Sequence, residues 1–184
     1  MAGVAHGADY TNSASGNYNA NIWGGGSPSG TTADNVYVTN GTVTIQAAYV
    51  ATNDFITVTN STFASSLAFG LSGATINLIN GGTNSITSTT ANTLSGAVVR
   101  LNGGVLSFST AFTGAITPMG DLRVDSSGVI QATHGAGVGT VTFGSLDFTG
   151  TAPTLTLQSL AGNSTAGTRM IFLFNTVNIT NRSE

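Results

Sequence analysis

The residues with the most obvious capacity for chemistry are seven acids, Asp9, Asp34, Asp54, Asp121, Asp125, Asp147 and Glu184, and two histidines, His6 and His134. Cleavage of a glycosidic bond needs two carboxylates about 5–10 Å apart, one as acid and one as base or nucleophile. Asp34 and Asp54 are 20 residues apart in sequence and occupy the same place in a recurring pattern, so they are expected to be neighbours. Both stand at the entry to an alternating run, where Asp commonly forms an Asx turn, and that structural role is the one expected here. Asp121, Asp125 and Asp147 belong to adjacent repeats. Arg123 and Asp147 share a register position, which predicts a surface ion pair rather than a catalytic set. His6 and His134 are isolated, and a metal site needs several converging ligands. No catalytic group, cofactor site or metal site is expected. The Gly-rich pieces GLSGA (70–74) and GAGVG (135–139) have no βαβ unit around them and are not nucleotide loops. Sequons at Asn40, Asn60, Asn163, Asn178 and Asn181 follow from a Thr/Asn-rich composition.

The pattern that positions these residues is a repeat. It reads VYVTNGTVTI at 36–45, ITVTNSTF at 56–63, INLINGGTNSI at 76–86, VRLNGGVLSF at 99–108, LRVDSSGVI at 122–130, LDFTGTAPTLTL at 146–157 and FLFNTVNI at 172–179. A period of 20–26 residues with strand-like alternation predicts a β-solenoid, in which each coil buries its apolar side by stacking on the next. Two wholly apolar columns emerge: Val36, Ile56, Ile76, Val99, Leu122, Leu146, Phe172, and two residues on, Val38, Val58, Leu78, Leu101, Val124, Phe148, Phe174. Both are expected to point inward. Tyr37, Thr57, Asn77, Arg100, Arg123, Asp147 and Leu173 lie between them and are expected to point outward. Asn40, Asn60 and Asn80, followed by Gly103, Ser126 and Gly150, mark a sharp corner. Val43, Ile45, Phe63, Ile86, Leu106, Phe108, Ile130, Leu155 and Leu157 supply a second strand, and pairs such as Leu67/Phe69 and Val141/Phe143 a third.

These features predict an all-β chain. An irregular N-terminal arm or cap spans 1–33, and a single parallel solenoid of about seven coils spans 34–184. Seven coils at about 4.8 Å each make a core roughly 30–35 Å long. Tyr10, Tyr18 and Trp23 are the large side chains of the arm. Trp23 is expected to plug the open end of the core, and all three are candidate partner contacts. The run MIFLFN at 170–175 is expected to close the last coil, with Leu173 as an outward subunit contact.

Composition narrows the function. Charged residues make up 6% of the 184, against roughly 25% in an average domain, and lysine is absent. Four scattered arginines cannot displace phosphate counterions from a nucleic acid. A weakly charged surface instead suits packing against other subunits, since little charge need be desolvated. Cysteine is absent, which removes disulfide and thiolate chemistry. No long apolar run predicts a membrane helix, and residues 1–16 lack the basic and apolar regions of a secretory signal. The chain is therefore expected to be complete and made in the cytoplasm.

The coil rhythm, together with the entry segment IWGGGSPSGTTADNVYVTNGTVTI at 22–45, resembles the parallel β-helix repeats of bacteriophage tail and capsid-surface proteins and of autotransporter passengers. The resemblance implies a structural protein at a virion surface. Such a protein would bind capsid or tail proteins and assemble as a homo-oligomer, with a side-by-side trimer favoured. An autotransporter-type adhesin fragment at the cell surface and a polysaccharide-binding spike are the alternatives.

Overall fold

In a computed structural model the described residues are 7–28, 32–45, 54–65, 73–86, 96–116, 120–160 and 169–179. Within these ranges side chains are described except at 65, 109–116, 134–138, 159–160 and 169–170. Every regular element among them is a β-strand. The strands are β1 (Asp9–Thr11), β2 (Gly16–Asn17), β3 (Asn35–Val38), β4 (Thr42–Ile45), β5 (Phe55–Thr59), β6 (Thr62–Ser65), β7 (Thr75–Ile79) and β8 (Thr83–Ile86). They continue as β9 (Val98–Asn102), β10 (Gly104–Ile116), β11 (Asp121–Val124), β12 (Ser127–Phe148), β13 (Thr154–Leu160) and β14 (Arg169–Ile179).

Odd-numbered strands stack in the order β1-β3-β5-β7-β9-β11, and even-numbered ones in the order β2-β4-β6-β8-β10-β12. All the strand pairings are parallel. A chain that pairs each strand with its equivalent one repeat later is a parallel β-solenoid. Five turns are paired above and below in both stacks: β3–β4, β5–β6, β7–β8, β9–β10, and β11 with the first part of β12. This is fewer than the seven expected, because the outermost repeats are partial. At one end the short β1 and β2 join the ladder, so the first turn lies inside the 1–33 arm.

Alternation decides which side chains are inside. Val36, Val38, Ile56, Val58, Ile76, Leu78, Val99, Leu101, Leu122, Val124 and Leu146 are all buried, as the inward columns require. Phe148 is partly buried against the same core. In the second stack the buried column runs Val43, Phe63, Asn84, Leu106, Ile130. Asn84 breaks the apolar pattern. Its Nδ2 donates to the Phe63 carbonyl at 3.1 Å, while its Oδ1 has no hydrogen-bond partner. A third stack joins β10, β12 and β14, with Val141 and Phe143 buried between them. Leu67 and Phe69 lie outside the described residues.

The corners form where Asn and Gly accept left-handed backbone. Asn60, Asn80 and Gly103 have φ of 49°, 47° and 81° in successive repeats. Backbone bonds stack these corners: Asn80 N–H donates to Asn102 O at 3.2 Å and Gly81 N–H to Gly103 O at 2.7 Å.

The last repeat differs from its expected register. Phe172 and Phe174 pair with Val141 and Phe143, and Leu173 with Thr142. The residues that continue the first-stack columns beyond Leu146 and Phe148 are Val177 and Ile179. Asn178, rather than Leu173, follows Asp147 in the outward column. The run at 172–174 mimics a first strand because alternation alone does not distinguish one side of a coil from another. The 26-residue gap that precedes it, the longest in the chain, is the signal that it sits elsewhere on the coil.

Candidate docking surface

The two ends of the solenoid are built differently. At the N-terminal end Tyr18 and Trp23 are 1% and 5% exposed. Trp23 Nε1 donates to the Tyr18 carbonyl at 2.7 Å, and the two rings meet edge to face at 5.5 Å. The Tyr18 ring meets Phe63 at 5.9 Å, also edge to face. These side chains fill the core beside the first turns, the plug expected of Trp23, so neither presents a surface to a partner. Tyr10 stands ahead of Val36 in the inward column and is partly buried against the core. Asn12 closes the first corner: its Oδ1 accepts from Thr39 N–H at 2.8 Å, and its Nδ2 donates to the Ala14 carbonyl at 3.0 Å.

Behind the plug is a buried polar cluster. Asp34 and Asp54 are adjacent, as their shared position in the repeat predicts, and both are inaccessible. Asp54 Oδ1 accepts from Asp34 N–H at 3.1 Å, and its Oδ2 from Tyr18 Oη at 2.8 Å. Asp34 Oδ1 accepts from Ala8 N–H at 3.1 Å and from Thr32 Oγ1 at 2.9 Å. Burial pushes the Asp54 carboxyl up to about 6; the Asp34 N–H and Tyr18 hydroxyl oppose this, and the nearby Asp34 charge adds to it. The pair ties turn to turn from inside, and no sugar can reach between the two carboxylates.

Of the remaining acids, Asp9, Asp121, Asp125 and Asp147 are dispersed on the outer face, and Glu184 lies outside the described residues. Asp121 Oδ1 accepts from Ser145 N–H at 2.8 Å. Asp125 Oδ2 takes Arg100 Nη2 at 2.7 Å, an ion pair that sequence reasoning missed because its partners are diagonal rather than in one column. The expected Arg123–Asp147 pair is present but loose, with Nε 3.8 Å from Oδ2. Asp147 is held more closely by Asn178 Nδ2, at 2.6 Å. His6 lies outside the described residues, as does the His134 side chain, and no group of metal-ligating side chains occurs among the described residues. There is also no helix among them long and apolar enough to cross a membrane.

At the C-terminal end no described strand covers the core. Leu157 continues the column of Ile130, and Val177 that of Leu146. Ile130 and Leu146 are 0% and 5% exposed, whereas Leu157 and Val177 are 54% and 53% exposed, and Ile179 beside them 55%. They have the inward register of core residues with no described turn above them. Phe172 and Phe174 are partly buried there, Phe174 stacked on Phe143 at 5.1 Å. Leu173 is exposed and points outward, as its candidacy for a subunit contact requires. An open depression of about 570 Å³ adjoins this end, lined by Arg123, Asp147, Thr149, Val177, Asn178 and Ile179. Apolar side chains rimmed by polar ones mark an interaction surface. Sequence reasoning placed the core columns correctly as far as Leu146 and Phe148, but gave their last places to Phe172 and Phe174 instead of Val177 and Ile179, and could not see that these last members lack a described cover.

The fold defines the chain as a β-solenoid protein. It matches no known protein family, no curated protein and no solved structure.

Proposed function

We propose that this chain is a non-enzymatic structural subunit of a virus particle, of the bacteriophage capsid-decoration or surface-fibre kind. It binds assembled capsid or tail proteins and presents a rigid rod outward. The observation that carries the reading is the open C-terminal end, where core-register Leu157, Val177 and Ile179 stand in solvent. Leaving such side chains about half exposed forgoes about 1 kcal/mol each, so an assembly that covers them is favoured. The low charge of the chain supports the same reading, since docking strips water from few ions. The N-terminal arm around Tyr10 serves as the attachment element and the last repeat as a second contact.

Density-gradient fractionation of the source culture, with the chain found by intact mass, tests this. Sedimentation with particles at a fixed copy number is the expected result. Recovery from the cell envelope or medium as part of a processed precursor would overturn it in favour of an autotransporter-type adhesin. One observation favours a polysaccharide-binding spike as a second reading: Tyr37 and Phe55, on neighbouring strands, expose aromatic rings on the outer face.

A further inference from the structure

We infer that the open C-terminal end is covered by the same end of a second copy, the two solenoids meeting tip to tip about a two-fold axis. The argument begins with the edge strands. β13 and β14 each pair with β12, and neither has a described strand on its other side. Exposed edges are normally guarded by charge, proline or a bulge that twists them away from new partners. Here the described side chains of the two strands are Thr, Leu, Gln, Ile, Phe, Asn and Val, without one ionisable group. Arg169, at the start of β14, lies outside the described side chains. An edge whose described side chains carry no charge is open to pairing.

The same chemistry selects the occupant. The described side chains of β13 and β14 carry no charge that needs an opposite on the partner. An identical face meets them without like-charge repulsion, as a two-fold contact demands. Across such an axis β14 adds to its copy antiparallel, and Val177, Ile179 and Leu157 cover their counterparts. β13 and β14 span 7 and 11 residues, a little under the roughly 20–30 residues a side of a standard interface. The opposite end cannot serve equally well. Its core is filled by Tyr18 and Trp23, and its edges β1 and β2 are only three and two residues long. Head-to-tail growth into filaments is therefore disfavoured, and the contact closes as a dimer.

This inference rests on the proposed function only in taking the open end to be a subunit contact. The test uses the purified full chain without particles, by sedimentation velocity and native mass. The expected species has about twice the 18.4 kDa chain mass. Val177→Lys and, separately, Leu157→Lys should each weaken the dimer about tenfold or more, because each buries an ammonium in an apolar contact. Both positions are exposed in the single chain, so an unchanged far-UV spectrum and melting midpoint will show that the variants fold. With no native cysteine, a spin label on Thr176→Cys reports its counterpart across the axis, and dipolar coupling is expected. A monomer up to the solubility limit would overturn the inference. So would filaments, or a trimer or dimer indifferent to both lysines. A dimer that fails to sediment with particles would overturn the virion reading alone, and a particle-bound strict monomer would overturn this one alone.

Discussion

Asp54 is the residue whose environment most departs from water. Its carboxyl is raised from 3.8 to about 6, chiefly by burial. The folded chain therefore keeps a proton that the unfolded chain releases between these values. The resulting stabilisation is fully present below about pH 3.8 and is lost as pH rises through about 6, a change of about 3 kcal/mol. Asp54→Asn should abolish that dependence. Its Oδ1 still accepts from Asp34 N–H, and its Nδ2 can donate to Tyr18 Oη. Thermal melts across this range should show a falling midpoint for the natural chain and a flat one for the variant. Equal slopes would show that Asp54 does not titrate there. The sequence brought Asp34 and Asp54 together through their shared place in the repeat. It did not supply Tyr18, since nothing in an arm outside the repeat indicates which turn its hydroxyl will reach.

The turn is the element whose construction the glycines constrain. Gly104 and Gly128 occupy one column at the start of the second strand, pressed against the first. A Cβ on Gly128 would lie 2.5 Å from both Cβ and Cδ1 of Leu101, and one on Gly104 would strike Leu78. These glycines are small because two strands of a turn approach closely there. Gly128→Ala should cost about 1–3 kcal/mol in denaturant unfolding, from overpacking the core. Gly25→Ala, whose added carbon meets nothing within 4 Å, should be close to neutral. Equal effects would refute the steric account. The repeats LNGG and VDSSG already mark these corners. Which glycine answers to space and which to backbone angle is visible only once Leu101 and Leu78 are seen against them.

At the scale of the whole molecule, the described surface ion pairs contribute little to stability. The two described ion pairs, Arg100–Asp125 and Arg123–Asp147, have arginine side chains nearly half exposed. Each is worth about 0–1 kcal/mol and is screened by salt. Raising sodium chloride from low ionic strength to about 1 M should shift unfolding by less than about 2 kcal/mol, read from denaturant midpoints at constant pH. A larger loss would reveal charge networks beyond these two pairs.

The sequence by itself determined the class of fold, the inward columns from Val36 to Phe148, and the corners at Asn60, Asn80 and Gly103. Each follows from a local rule, either period-2 alternation or tolerance of left-handed backbone, and six repeats restate that rule in register. The sequence pointed to Trp23 as a plug and to MIFLFN as a closing run, and tertiary structure decided that only the first of these covers its end. Tyr18 and Trp23 turn inward to fill one end. At the other, Phe172 and Phe174 stack beside Val141 and Phe143, leaving Val177 and Ile179 to finish the first columns uncovered. Local alternation is the same for a covered strand and an uncovered one. Burial depends on what is stacked above, and only the folded chain settles that.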